Sequence, residues 1–235
     1  MAQEIEYRKK IVCLADSRKT GGHCVAGREI STGKIGDWVR PISKREHQEI
    51  SIEELRYKDG HVAKLLDIIT IPMLRAKPHA FQSENHLIAD EYYWVKNGRA
   101  TWKQIEAAVQ EVNGPLWSNG SSSYGMTNNR VPDARAKTFG HSLLLVRPNN
   151  LKIIVGTQGG MYAPERRKVS AEFQLNGLPY KLALTDNMKE GVFLRGNNGA
   201  FPIPNAFLCI SLGESYNGHA YKLAAALITK DRLDE

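Results

Sequence analysis

The stretch Lys10–Ile30, KIVCLADSRKTGGHCVAGREI, decides the fold. An apolar run, Lys10 to Asp16, passes into Ser17-Arg18-Lys19-Thr20-Gly21-Gly22, and strand-forming residues resume at once. Two such segments separated by a glycine pair predict a tight antiparallel hairpin. Gly21 and Gly22 are sufficient for the turn. Arg18 and Lys19 are extra, and two cations beside a hairpin tip pose the question of an anionic ligand.

The same punctuation recurs along the chain. DWVRPIS (37–43), LLDIITIPML (65–74) and EYYWVK (91–96) read as further strands, rich in β-branched and aromatic residues. So do SLLLVRP (142–148), LKIIVG (151–156), KVSAEFQL (168–175), LPYKLALTD (178–186), FLCISLG (207–213) and AYKLAAALI (220–228). Asn176-Gly177 is a strong hairpin signal, and Pro148-Asn149-Asn150 predicts the tip of another hairpin. GTQGGMY (156–162) reads as a turn, because it follows a strand without opening the helix of a dinucleotide fingerprint. The chain is therefore expected to be mainly β, built as small barrels or sandwiches rather than βαβ units.

One helix interrupts the strands. In TWKQIEAAVQEVNG (101–114), Thr101 and Gln104 form a capping-box pattern. Trp102, Ile105, Val109 and Val112 fall near one face, and Gly114-Pro115 stops the run, so a helix is predicted over 101–113. Residues 115–140, PLWSNGSSSYGMTNNRVPDARAKTFG, have the composition of a loop. Loops of that length are uncommon inside a compact domain. The boundary is placed there, giving an N-terminal barrel with its helix over 1–127 and a C-terminal barrel over 128–235. No strict sequence repeat joins them.

Composition bounds the function. The chain has 235 residues, 42% hydrophobic and 24% charged, enough for a sizeable core. No apolar run approaches the roughly 18–20 residues of a membrane span. The N-terminus lacks the apolar centre of a signal peptide, so cytoplasm is the expected compartment. Cys13, Cys24 and Cys209 are scattered and odd in number, neither a disulfide framework nor a zinc site. Lys and Arg total 32 against 25 Asp and Glu, a net charge of +7 that favours polyanionic partners. The cations cluster near loops: Arg18 and Lys19; Lys44 and Arg45; Arg130 and Arg135; Arg166, Arg167 and Lys168.

Two blocks resemble a known family. IVCLADSRKTGGHCVAGREI with GDWVRPIS, and FLCISLGESYNGHAYKLAAALI, resemble the two ends of the dual OB domain-containing proteins, a prokaryotic family. The positions that carry the resemblance are Ser17, Arg18, Lys19, Gly21, Gly22, Cys24, Trp38, Val39, Arg40 and Pro41. At the other end they are Ser211 to Glu214, Tyr221, Lys222 and Leu223. Between Gln48 and Gly140 nothing matches. The resemblance implies two OB-like β-barrels with one or two covering or linking helices. It also implies a non-catalytic nucleic-acid-binding module that acts with a partner effector in bacterial defence or mobile-element biology.

OB barrels bind oligonucleotides on an exposed strand face and the loops beside it. Single strands need cations for phosphates and flat side chains on which bases stack. Arg18, Lys19, Gly21, Gly22 and His23 are therefore candidates at the first hairpin; a purely structural turn is the alternative. Trp38 and Arg40, two apart, share a strand face. Either they stack a base and hold its phosphate, or Trp38 is core with Arg40 over its ring. Tyr92 and Trp94 are further stacking candidates. Arg166, Arg167 and Lys168 form the most basic segment, and Arg130, Arg135 and Arg195 extend the track. The Asn and Ser side chains of the long loop are expected to bind once ligand orders them.

No cofactor or metal is expected, because the histidines lack metal spacing and no phosphate-binding loop is present. The expected function is binding of nucleic acid, single-stranded DNA or RNA over duplex, with low sequence specificity. Two alternatives stay open. One is a protein-interaction adaptor using AYKLAAALI as an edge strand. The other is a metal-dependent nuclease or hydrolase built from His23, Cys24 and a distant carboxylate.

Overall fold

The computed structural model describes residues 5–160 and 163–235. The chain divides into two compact units. One comprises Met1–Val109, Gly140–Ser142 and Lys230–Glu235; the other comprises Gln110–Phe139 and Leu143–Thr229. The main division thus follows Val109, upstream of the boundary expected at 127/128.

The first unit contains β1 (Tyr7–Lys19), β2 (Gly22–Ser31), β3 (Lys34–Ile42), β4 (Asp67–Ala76), β5 (Asn85–Ile88), β6 (Val95–Arg99) and α1 (Trp102–Ala108). The sheet order is β1-β2-β3-β5-β4-β6, and β1 also pairs with β4, which closes the sheet. β3 and β5 run parallel; the other pairs are antiparallel. Strands β1 to β5 form the five-stranded Greek-key barrel of the OB type, and β6 adds to β4 outside that closed ring. One strand makes the closure: Tyr7–Val12 face β4 and Ile11–Lys19 face β2. The register slips between Cys13 and Ala15, and such a bulge bends a strand enough to serve two neighbours. Opposite the bend, Gly27 leaves no room for a side chain, since a Cβ there would lie 2.1 Å from the Val12 carbonyl oxygen.

Ile11, Leu14, Val39, Ile69, Ile71 and Met73 fill this barrel. Burying each contributes about 1.5–3 kcal/mol before entropy is counted. Asp67 is fully buried yet paired: it accepts from the Tyr57 hydroxyl (2.8 Å) and lies 2.8 Å from Lys96 and 3.0 Å from Arg99. The predicted capping box is present, with Gln104 N donating to Thr101 Oγ1 and Thr101 N donating to Gln104 Oε1. The helix is shorter than 101–113, ending at Ala108. Gln110 N donates to the Leu145 carbonyl, and Leu145 N to the Gln110 side-chain Oε1, so past Ala108 these bonds replace continuation of the helix.

The second unit contains β7 (Arg130–Pro132), α2 (Asp133–Ala136), β8 (Leu143–Val146), β9 (Asn149–Gly160), β10 (Ala163–Leu175), β11 (Leu178–Leu184), α3 (Asn187–Arg195), β12 (Gly199–Pro202), β13 (Phe207–Tyr216) and β14 (His219–Ile228). Its order is β12-β9-β10-β11-β14-β13-β8, with β7 on β14. β8 pairs with β13 and β9 with β10, so together they fill the role of β1 in the first barrel. β11 and β14 are parallel, as β3 and β5 are. The topology is repeated although the sequence is not.

Several expectations are corrected here. Pro148-Asn149-Asn150 is not a hairpin tip, because β8 and β9 pair with different strands. Pro148 lacks an N–H and breaks one bent strand into two. Gly156–Gly160 extends β9 rather than forming a turn, and residues 161 and 162 of that stretch lie outside the described residues. β14 is no edge strand; β13 lies on one side, with β11 and β7 on the other. Asn176-Gly177 does form the β10–β11 turn, with φ of +51° and +75°. The long loop is an ordered layer on the second barrel. Lys181 N donates to Thr127 O and Lys222 N to Asn129 O, each at 2.9 Å. No helix among the described residues is long and apolar enough to cross a membrane.

Candidate nucleic-acid interface

The first barrel answers the question posed by its opening hairpin. Lys19 pairs with Gly22, leaving Thr20 and Gly21 as a two-residue turn with φ of +35° and +82°. That sign at both positions is the type I′ pattern that suits strand twist. Gly22 serves packing, because a Cβ there would meet Glu49 Cγ at 2.7 Å and Ile50 O at 2.8 Å. His23 exchanges both backbone hydrogen bonds with Ile50, and its Nδ1 lies 2.7 Å from Asp16 Oδ1. The hydrogen bond to Asp16 raises the imidazole pKa above its usual value. Arg18 is exposed and Lys19 half-buried. The glycines and His23 are thus structural, and Arg18 is the surface cation.

Register sets the surroundings of this turn. Residues 40–42 of β3 pair with residues 85–87 of β5, while Gly27 of β2 faces Val39. The β1–β2 turn lies past Lys19, at the C-terminal end of β1, whereas β4 runs antiparallel to β1 and carries the β4–β5 loop past Tyr7, so the two loops stand at opposite ends of the β2–β3 face. Those two loops flank the oligonucleotide-binding face in OB barrels. The β4–β5 side brings Arg75 and Lys77, whose side chains have no partner among the described residues. The sequence reading missed both, although cations around Pro78 between two strands were a usable signal.

Three candidates move elsewhere. Arg40 is only 3% exposed; it donates to Ser142 Oγ (2.8 Å) and lies 3.2 Å from Glu84, inside the unit. It holds a buried ion pair, not a phosphate. Trp94 is 2% exposed and belongs to the core, while Tyr92 is at the surface. Trp38, half-buried, stands opposite Arg28, whose guanidinium donates to Gly36 O and Ala108 O.

On the second barrel the basic segment splits by strand alternation. Arg167 donates to Asn198 Oδ1, Leu194 O and Gly196 O, fastening the end of α3. With its guanidinium used in this way, it is removed from the candidate set. Arg166 and Lys168 fall on the opposite face of β10, exposed and without a partner among the described residues. Glu172 and Gln174 continue that face, Lys152 stands opposite Glu172 on β9, and Lys181 opposite Glu172 on β11. Lys181 and Glu172 approach to 3.9 Å. Arg195 is exposed at the end of α3, and Arg135 is exposed with its guanidinium 5.5 Å from the Phe139 ring centre.

At one end of this face lies a groove of about 720 Å³, walled by Lys152, Gln174, Pro179, Lys181, Tyr124 and Met126. Tyr124 is 50% and Met126 89% exposed. An adjoining hollow of about 540 Å³ is lined by Asn119, Ser121, Ser122, Asn128 and Arg130. Of the cations expected in the long loop, Arg130 reaches a cavity. The side chains expected to order on binding are already bonded: Asn129 Nδ2 to Ser123 Oγ, Asn128 Nδ2 to Asn119 Oδ1, and Asn128 N to Ser122 Oγ.

Lys222 holds this loop. It is 1% exposed, and its ammonium donates to Ser118 O (2.6 Å), Asn128 O (3.0 Å) and Asn128 Oδ1 (3.2 Å). The Tyr180 ring centre lies 5.1 Å away. Burial pulls its pKa down to about 7.

A model of the dual OB-containing domain matches residues 9–227. The chain belongs to the dual OB-containing family. The match runs through the middle of the chain, where the sequence reading found no resemblance, and agrees with the barrel topology present in both units. No match is found among curated proteins or among solved structures. Within the dual OB frame, β2–β3 of the first barrel and β10–β11 of the second are the equivalent strands. The groove therefore lies on the face that OB barrels use for ligands. Lys152 and Lys181 escaped the sequence reading because each is a lone lysine in a strand; only strand parity brings them together.

Proposed function

We propose that this dual OB protein binds single-stranded nucleic acid, with the outer face of β9, β10 and β11 as the principal surface and the hairpin rim of the first barrel as a second cationic surface. One observation carries the reading: Arg166, Lys168 and Lys152 share one strand face that runs to a groove edged by an exposed tyrosine. Cations track phosphates, and a flat ring at the end of the track accepts a base. The protein positions the strand for a partner that supplies the chemistry. What supports a non-catalytic role is the disposition of His23 and Cys24. Asp16 is the carboxylate beside His23, but Cys24, as the next residue along β2, faces the other way.

Fluorescence anisotropy with labelled oligo(dT) and oligo(rU) of about fifteen nucleotides, at two salt concentrations, tests this. Binding is expected to weaken linearly on a log–log salt plot. Arg166→Glu with Lys168→Glu should reduce the slope by about 2. Absence of salt-dependent binding to both oligonucleotides overturns the reading. Unchanged affinity and slope in the folded double variant removes this face from the site.

A further inference from the structure

We infer that the hollow beside the groove is a single-base subsite that selects guanine; the inference rests on the nucleic-acid reading above. Its chemistry is one-sided. Arg130 is pinned along its inner edge, with Nε donating to Ser121 Oγ (3.2 Å) and the main-chain N to Ser121 O (3.3 Å). Its two terminal nitrogens carry no hydrogen bond among the described residues. Asn119 Oδ1 accepts from Asn128 Nδ2 (2.7 Å), so the amide nitrogen of Asn119 is left as a donor. The hollow thus offers a fork of donors, with a further amide donor beside it.

Each base meets that fork differently. Guanine presents two adjacent acceptors, N7 and O6, and an arginine fork matches both. On the edge that carries N7, adenine sets a donor beside it. Thymine and uracil place the N3–H donor between their two carbonyl oxygens, and cytosine offers an acceptor pair only on its Watson–Crick edge, N3 with O2, beside its N4 donor. A phosphate would also suit the fork. It has no use for the apolar walls supplied by Met126 and Pro179, which line both cavities. A strand lying along β10 therefore has room to turn one base into the hollow while its phosphates stay on the lysines.

The subsite is built before ligand arrives. Ser118 and Asn128 bracket the loop that carries Asn119, Ser121 and Ser122, and the Lys222 ammonium grips both. Lys222 is a positioning residue: it touches no ligand but holds the two ends of the loop.

The experiment compares oligo(dT) and oligo(rU) with the same strands carrying one central guanine, one central adenine, or one central 7-deazaguanine. Guanine should tighten binding by on the order of ten-fold, and adenine and 7-deazaguanine should not. Arg130→Lys keeps the charge and loses the fork, so the ratio of guanine-containing to plain strand should fall to about one. Because the first comparison uses the unaltered protein, it stands even where a variant fails to fold. Equal binding of all strands by the wild type overturns the subsite and leaves the general binding function intact. Absence of binding to any strand overturns both.

Discussion

Lys222 and Asn128 are joined twice. The buried ammonium donates to both the main-chain oxygen of Asn128, at 3.0 Å, and its side-chain oxygen, at 3.2 Å. No acid pairs with Lys222 among the described residues, so neutral oxygens and the face of the Tyr180 ring stabilise the charge. Desolvation opposes it and lowers the pKa from 10.5 to about 7.

That depressed pKa predicts a pH dependence. Between pH 7 and 10.5 the unfolded chain binds the Lys222 proton more tightly than the folded chain does. Stability of the second barrel should therefore rise with pH across that window, by up to about 1.4 kcal/mol per unit from this one group. Urea unfolding at several pH values checks it. In Lys222→Met that contribution disappears, and an identical pH slope in variant and wild type refutes the assignment.

A different buried charge governs the first barrel. Removing the Arg40 guanidinium strands the Glu84 carboxylate, which is 6% exposed and which also accepts from Ser142 Oγ. Arg40→Ala should cost about 3–5 kcal/mol in stability. Arg40→Met combined with Glu84→Leu removes both charges and should recover most of the loss. Thermal melts of the two variants decide the point.

Gly27 is a steric test of barrel closure. Any side chain there collides with the Val12 carbonyl and with Ile11 Cδ1, at 2.1 and 2.9 Å from the added Cβ. Backbone at 2.1 Å cannot yield without opening the β1–β2 pairing. Gly27→Ala should lower the melting temperature of the first barrel sharply, whereas Gly33→Ala, at an exposed turn with open space, should act only through its φ of +79°. Comparable, small losses in both variants would contradict the closure geometry.

The pKa values of two histidines are displaced in opposite directions. The hydrogen bond with Asp16 raises the pKa of His23, so its stabilising contribution is complete below the unfolded value near 6.5 and is lost as pH rises through the higher folded value. Burial and then the nearby Lys9 lower the pKa of His86, whose ring accepts or donates at 2.7 Å to Tyr7. Its contribution is present above 6.5 and is lost as pH falls through the lower folded value. Ring-proton NMR titration reads both directly. A His23 midpoint at or below that of His86 would reverse the assignment.

The sequence by itself determined the elements. Glycine pairs, Asn-Gly and the Thr101–Gln104 box act through local backbone conformation, so they are legible along the chain. The resemblance at the two ends identified the barrel type. What only the tertiary structure decided was which side chains share a surface. Arg166 and Arg167 are neighbours in sequence, yet strand alternation sends one outward and the other to the end of α3. Arg40 looked like a ligand residue until Glu84 and Ser142 met it in the interior. Lys222 read as one residue of an apolar strand until the chain returned over a hundred positions earlier in sequence to cover it. Charge burial and surface convergence depend on long-range packing, which no local pattern encodes.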